Sequence, residues 1–511
     1  MLVRLAVAFV VAGCGSDRSA PPAPAPAQVD PIGHSTPEAQ GIDSTSLAEL
    51  VQRIVDDGLS VHSLTIVRHG NVVLDATFFP YDGKKPHDIA SCTKSLTSTA
   101  LGLAMQSGDI DSLGQSLVSF FPEHAIPEAS AADERAITLA QAISMTSGFD
   151  CVTDPTELTL LDMQNAPDWV SFALDVPMAA APGTQWRYCG TATHLLSAVI
   201  TRATGKPEDE LLATELFAPI GAHRPVWPRD PQGNSHGWGD ARLLPDDLVR
   251  LGQLFLQRGT FGGKRLLDAA FVDEATSNRV GDLGPANGYG YGWWTTSRAA
   301  YYADGRGGQL LIIAPEFDAL AVTTGGETSE QEQALQKLLS DDFASTLSDS
   351  ALPENPDAVK RLDALVASVK QPPPSEPVPT EPATAASASG VRYPLPSNVL
   401  GWDAVTLAFE DTVATLTVEM GATTSSATIG LDAVPRITRA IQFATIPRYD
   451  ELDIALGGRW LDERTFEATF DTIDTIDSGT IDFAFQGQAL TITVLEKTFL
   501  LTPITIEAQA P

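Results

Sequence analysis

Apolar positions recur at helical spacing in residues 45–57, where Leu47, Leu50, Val51 and Ile54 share one face. Residues 63–68 and 72–79 are β-rich runs on either side of His69-Gly70-Asn71, which predicts a hairpin. Residues 89–108 are different. Between Asp88 and Asp109 the only charge is Lys94, and the run reads as one helix starting near Ser91 and stopped by Gly108. Further helices are predicted at 137–145, 193–204, 245–258 and 269–276. Residues 308–314 and 319–324 form a second hairpin around Pro315-Glu316-Phe317-Asp318, followed by a helix over 329–347. Hairpin, helical middle, hairpin and helix predict one mainly antiparallel sheet closed by both ends of a domain, with helices on its faces.

The pattern changes after this domain. Residues 356–369 read as a helix with Pro356 at its first position. Residues 371–390 are dense in Pro, Ala and Ser and read as a linker. Strict alternation follows in Val405-Leu407-Phe409, Leu416-Val418-Met420, Leu452-Ile454-Leu456, Ile481-Phe483-Phe485 and Leu490-Ile492-Val494, with Gly487 in a tight turn. Many short strands predict an all-β meander, sandwich or barrel, without a catalytic cluster of its own. At the other end, residues 1–11 carry Arg4 and a short apolar run, as an export signal does. Val11-Ala12-Gly13-Cys14 resembles a bacterial lipobox, which would make Cys14 the lipid attachment site; an incidental cysteine is the alternative. The expected organisation is a lipoprotein signal at 1–14, a Pro/Ala-rich tether at 15–40, the sheet-and-helix domain at 41–348, a helix and linker at 349–390, and an all-β domain at 391–511. The fold class is α/β (α+β) followed by all-β.

Composition narrows the function. The chain has 511 residues, 43% of them hydrophobic, enough for large buried cores in more than one domain. A formal net charge of −33 argues against a nucleic-acid partner, which needs a basic footprint. It fits a solvated acidic surface. Four cysteines are too few for a disulfide scaffold.

The candidate chemistry lies in the neutral helix. A lysine there is a buried ammonium, rare without a partner or a task. Ser91 stands three residues earlier, on the same helix face, in a first turn whose free N–H groups favour negative charge. A serine oxygen beside a desolvated amine is an activated nucleophile. The bland alternative is a helix-capping serine and a lysine that snorkels to the surface.

Ser91-Cys92-Thr93-Lys94 also fits S-x-T-K, the first motif of the penicillin-recognising serine hydrolases. Trp186-Arg187-Tyr188-Cys189-Gly190 resembles the family's Tyr-x-Asn element, and Gly305-Arg306-Gly307-Gly308-Gln309 its third, a cationic triplet on the strand beside the site. The order and spacing are similar to the β-lactamase-like esterase and 6-aminohexanoate-dimer hydrolase branch, over roughly residues 41–346, and Tyr289-Gly290-Tyr291-Gly292-Trp293-Trp294 fits it too. The resemblance implies acyl transfer through Ser91, with Lys94 and Tyr188 sharing the general base role. It implies an oxyanion hole from the N–H groups of Ser91 and Gln309, substrate binding along Arg306, Gly307 and Gly308, and no metal or organic cofactor. A nearby ammonium would favour a Tyr188 phenolate, and neighbouring cations would lower the Lys94 pKa. Two residues depart from the family: Gly190 stands where Asn is usual, and Arg306 replaces Lys or His. Arg306 is expected either to hold a substrate carboxylate or to pair with a nearby acid such as Asp304.

A rival nucleophile is Ser235, in Gly233-Asn234-Ser235-His236-Gly237, which matches G-x-S-x-G. That motif needs a strand-to-helix turn, and here a loop-like run precedes it. Cys151 and Cys189 can pair in an exported protein, bracing the loop beside Tyr188; the alternative is free thiols, with Cys92 odd in either case. Trp169, Trp186, Trp238, Trp293 and Trp294 are candidates for a cleft wall or for core. The favoured function is an exported, lipid-anchored serine hydrolase of the cell envelope acting on a small ester or amide. A D-alanyl-D-alanine peptidase or penicillin-binding protein, and a non-catalytic binding lipoprotein, are the other readings.

Overall fold

Both predicted hairpins end up side by side. In the computed structural model, Val61–Arg68 pairs antiparallel with Asn71–Thr77 on one side and with Ala319–Gly325 on the other. Gln309–Ala314 pairs antiparallel with Ala319–Gly325. The structure describes residues 31–128, 130–152, 157–284, 288–297, 300–443, 451–498 and 502–510. The eight-stranded sheet runs Gly33–His34, Asn71–Thr77, Val61–Arg68, Ala319–Gly325, Gln309–Ala314, Tyr301–Gly305, Trp294–Thr295, Gly288–Tyr289. Sheet neighbours thus come from both ends of the domain, as the pattern predicts.

Every residue of Val61–Arg68 is buried, because helices cover both faces of the strand. Leu64 and Ile66 join a core with Leu47, Leu50 and Ile54 of the Ser44–Asp56 helix. Val67, Leu320 and Val322 join the opposite core, with Leu248 and Leu251 of the Pro245–Leu256 helix. The Thr93–Ser107 helix crosses this second core and is buried from Thr93 to Ala104. Leu96, Ala100, Leu101 and Ala104 are fully enclosed; a buried leucine is worth roughly 1.5–3 kcal/mol. The Gly190–Thr204 helix packs against it and belongs to a helical subdomain with Leu139–Ile143, Leu158–Gln164 and Trp169–Leu174.

Several boundaries differ from the expectation. Cys14 and the signal at 1–14 lie outside the described residues. Within the expected tether, Ile32 is buried, Gly33–His34 pairs parallel with Asn71–Thr77, and Glu38 accepts a hydrogen bond from Ser44 N at 3.1 Å. The tether boundary at residue 40 is therefore too late. The Pro356–Val369 helix packs back on the Ser44–Asp56 helix and belongs to the N-terminal domain. The linker holds a short helix, Ala383–Ala388, with Ala385 and Ala388 buried. The helix expected over 329–347 is regular only to Lys337, then widens at Leu338–Phe343 and tightens at Ala344–Thr346.

The C-terminal domain is an antiparallel-rich ten-stranded sheet whose first strand, Arg392–Pro394, approaches its last, Ile504–Gln509. The sheet is nearly closed. Its interior is filled by side chains such as Leu416, Val418, Phe466, Phe483 and Ile492. The domain docks on the N-terminal domain. Tyr81 packs with Ala455 and Ile473, and Lys85 Nζ lies 2.7 Å from the buried Asp453 carboxylate. His62 Nε2 lies 3.2 Å from Asp471, while His62 Nδ1 meets His87 Nε2 at 2.8 Å.

Candidate active site

Ser91 sits in a tight turn, Ala90–Cys92, that leads into the Thr93–Ser107 helix. The turn is set by its neighbours. Ala90 has a φ of 45°, a left-handed conformation that costs an alanine about 1–3 kcal/mol. It is held by Asp88 Oδ1, which accepts from Ala90 N at 2.8 Å, and by Ile89 N donating to the Ala241 carbonyl at 2.9 Å. Three residues on, Lys94 is 1% exposed. Its Nζ donates to Ser91 Oγ at 3.0 Å and to the Trp238 carbonyl at 2.9 Å. The same nitrogen lies 4.5 Å from the centre of the Tyr188 ring. Ser91, Lys94 and Tyr188 thus meet, although Tyr188 lies 97 positions after Ser91 in the chain.

The charges differ from the expectation in their causes. Burial pushes the Lys94 pKa below its ordinary 10.5, and the Glu157 and Asp240 carboxylates push it back up. Desolvation, not neighbouring cations, lowers it. Burial also pushes the Tyr188 phenol well above its usual 10, and Glu157 adds to the rise; a hydrogen bond with Ser91 acts the other way. Tyr188 is therefore a neutral phenol at neutral pH, not a phenolate.

Glu157 is the residue that sequence reasoning missed. Its Oε1 accepts from Gly190 N at 2.9 Å, and a Cβ at Gly190 would lie 2.7 Å from that same oxygen. The space beside position 190 is thus taken by a carboxylate from another segment. The absent side chain at 190 was a visible signal; the identity of the group that replaces it was not.

The third element is arranged otherwise than expected. Arg306 Nη1 donates to Thr498 Oγ1 at 2.6 Å and lies 3.8 Å from Asp477, both in the C-terminal domain. Asp304 instead accepts from Gln336 at 3.2 Å. The expected Arg306–Asp304 pair is corrected to a pair between domains. The N–H groups of Gly307 and Gly308 both donate to Glu332. Gly308 has a φ of 80°, and a Cβ there would meet Glu327 Oε2 at 2.3 Å; only glycine fits. The Gln309 side chain is fully buried and its Nε2 donates to the carbonyls of Gly307 and Gly325, at 2.9 and 2.6 Å. Its own carbonyl accepts from Cys92 Sγ at 3.2 Å, which ties this strand to the serine turn.

Cys151 and Cys189 are disulfide-bonded, with Cα atoms 5.6 Å apart, and Cys92 is a buried free thiol. Of the five tryptophans, Trp186 and Trp294 gather beside Tyr188, with Trp294 nearly parallel to its ring at 6.4 Å. Trp293 is core, against Phe255 and Tyr301. Trp238 stacks on His236, and Trp169 meets His194 edge-on and His236 at a tilt. Among the described residues no group of three or more His, Cys, Asp and Glu side chains is placed to hold a metal ion.

Ser235 is fully buried. Its Oγ donates to Asp209 Oδ1 at 3.0 Å and accepts from Asp209 N at 3.1 Å, while Arg224 and Arg229 hold the same carboxylate. His236 pairs with Asp240 at 2.7 Å rather than with Ser235. The motif is structural. Ser235→Ala is expected to leave ester turnover unchanged and to cost about 1–3 kcal/mol in urea unfolding, because it strips a buried carboxylate of a donor. Loss of turnover at unchanged stability would contradict this.

The chain is 26% identical over 305 residues to the 6-aminohexanoate-dimer hydrolase of Paenarthrobacter ureafaciens, covering 55% of this chain and 75% of that protein. A solved Bacillus anthracis structure named after the same hydrolases superposes with a TM-score of 0.53 at 19% identity, over 64% of this chain and 90% of that one. The octameric penicillin-binding protein homologue from Pyrococcus abyssi aligns over 90% of this chain and 99% of its own, at 14% identity and a TM-score of 0.46. The family model described as Beta-lactamase matches residues 47–338, more than half of the chain, which therefore belongs to the beta-lactamase family of serine hydrolases.

Proposed function

We propose that this protein hydrolyses a small ester or amide through an acyl-enzyme on Ser91. The reading is carried by one observation: Ser91 Oγ lies 3.0 Å from the nitrogen of a lysine that is removed from water. In the neutral state favoured by burial, Lys94 takes the Ser91 proton as Oγ attacks the substrate carbonyl. The carbonyl π electrons move to oxygen, giving a tetrahedral oxyanion. Its collapse breaks the bond to the alkoxide or amine. Tyr188, a neutral phenol hydrogen-bonded to Ser91, gives the leaving group its proton and is reprotonated from Lys94. Water then attacks the acyl-enzyme by the reverse proton path, releasing the acid. The Ser91 and Gln309 N–H groups are the proposed oxyanion donors. The Paenarthrobacter relative is named for hydrolysis of a 6-aminohexanoate dimer, and an amide joining two such units is a natural first substrate beside short-chain esters.

The test uses the purified mature protein with a short-chain p-nitrophenyl ester, a fluorescent penicillin and a fluorophosphonate. Ester turnover and a Ser91 fluorophosphonate adduct, both abolished by Ser91→Ala, are expected. Stable penicillin labelling without turnover would replace this reading with a D-alanyl-D-alanine peptidase. Neither activity and no adduct would leave a non-catalytic binding protein.

We further propose that the protein is exported and anchored through lipid on Cys14, a reading supported by the lipobox-like Val11-Ala12-Gly13-Cys14 and by a disulfide suited to an oxidising compartment. Cys14→Ser is expected to move the protein from the membrane to the soluble fraction of expressing cells; unchanged fractionation would refute the anchor.

A further inference from the structure

Turns between barrel strands normally face water. The turn joining Thr465–Thr472 to Ser478–Gln486 does not. Ile473, Asp474, Thr475 and Ile476 are 3%, 7%, 0% and 1% exposed; Ile473 packs with Tyr81 and Ala455, and the turn also contacts segments that flank Ser91. The Asp474 carbonyl accepts from Asp88 N at 3.1 Å. Asp88 is the residue whose carboxylate fixes the left-handed Ala90 before Ser91. Two residues later, the Ile476 side chain lies against Gly307, where a Cβ would come within 3.1 Å of it. Ser478 Oγ donates to the Gly326 carbonyl at 2.9 Å. Arg306, next to Gly307, is held by Asp477 and Thr498 of the same domain. On the far side of that hairpin, Gly305 packs directly on the Ile89 carbonyl and Ala90 Cβ.

We propose that this turn, residues 473–477 of the C-terminal domain, is a positioning element of the active site. It grips the approach to Ser91 through Asp88 and the strand start at Gln309 through Gly307 and Arg306. Docking alone does not call for such contacts, since Lys85 on Asp453 and His62 on Asp471 already hold the domain outside this turn. The turn joins two segments that must stay in register for attack: the nucleophile turn and the strand carrying the second oxyanion donor. A displacement near 1 Å in such a pair costs turnover heavily.

This inference rests on Ser91 as nucleophile, and the experiment separates the two. Full-length Ile476→Ala, Ile476→Val and the double variant Asp477→Asn/Thr498→Val are compared with the wild type by ester kinetics and by hydrogen exchange. For Ile476→Ala, kcat is expected to fall about 10-fold or more, with KM changed less than about 2-fold. Amide exchange should quicken in peptides covering residues 87–93 and 304–310 and stay unchanged in the barrel strands. Ile476→Val should restore most of kcat. If Ile476→Ala fails to fold, the double variant decides, because it removes the Asp477 and Thr498 contacts to Arg306 and leaves the apolar turn intact. Unchanged exchange in those two peptides overturns the proposal, whatever the reactivity of Ser91. A wild type that forms no fluorophosphonate adduct refutes the nucleophile, and the exchange result still decides whether the turn holds the segments.

Discussion

Ser91→Ala is expected to lower kcat/KM for a p-nitrophenyl ester by at least about 10⁴-fold, and Lys94→Ala by a similar factor. The two should not add, because each removes one half of a single proton-transfer unit. Lys94→Arg should not rescue. Its guanidinium remains protonated throughout the working range and cannot act as a base. The pH profile adds a test of the base. Activity should rise with pH as the Lys94 ammonium loses its proton, and burial places that rise below the ordinary lysine value of 10.5. Glu157 holds the Lys94 pKa up, so Glu157→Gln should shift the rise to lower pH. A profile that stays put in Glu157→Gln, or a Lys94→Ala enzyme with near-normal turnover, would remove Lys94 from the base role.

The Ser91 turn and its lysine were legible because they are local: one charge in a neutral helix, three residues from a serine. The two hairpins were legible because their apolar runs end in strong turn signals. The Thr423–Gly430 strand was not, since Thr423-Thr424-Ser425-Ser426 shows no apolar alternation; its neighbours in the closed sheet fix it as a strand. The disulfide partners were visible as candidates, but their meeting is a property of the tertiary fold. Glu157 was hidden for the same reason. No spacing rule links it to Gly190, which lies 33 residues later. Arg306 shows the limit most clearly. Its nearest acid in the chain is Asp304, but the groups that hold it are Asp477 and Thr498, in a domain that the sequence pattern could describe only as all-β.

The second large effect concerns stability and comes from beneath the Arg306–Gln309 hairpin. Glu327 is fully buried, and neither of its carboxyl oxygens has a hydrogen-bond partner among the described residues. Burial, and then the nearby Glu332, pushes its pKa up to about 8. Glu332 is itself raised by burial, and its carboxylate is occupied by the N–H groups of Gly307 and Gly308. Above the unfolded carboxylate value near 4.5, the unfolded chain gives up the Glu327 proton and the folded chain keeps it. The folded state therefore binds more protons, and stability falls as pH rises until about 8, where both states are ionised. Asp304, raised to about 7, and Glu208, raised to about 8, act in the same direction. The buried His87 and His194, with lowered values, act in the opposite direction below their unfolded value near 6.5. A variant isolates the Glu327 share. Glu327→Gln keeps the shape and cannot ionise. It is expected to match the wild type at about pH 5 and to exceed it by on the order of 3 kcal/mol at about pH 8, in urea unfolding. A stability difference that does not change with pH would mean that Glu327 ionises at the same pH in the folded protein as in the unfolded chain, and so is charged at neutral pH. The two N–H groups of the hairpin would then face two charges rather than one, and the neutral carboxyl proposed beneath Gly308 would have to be given up.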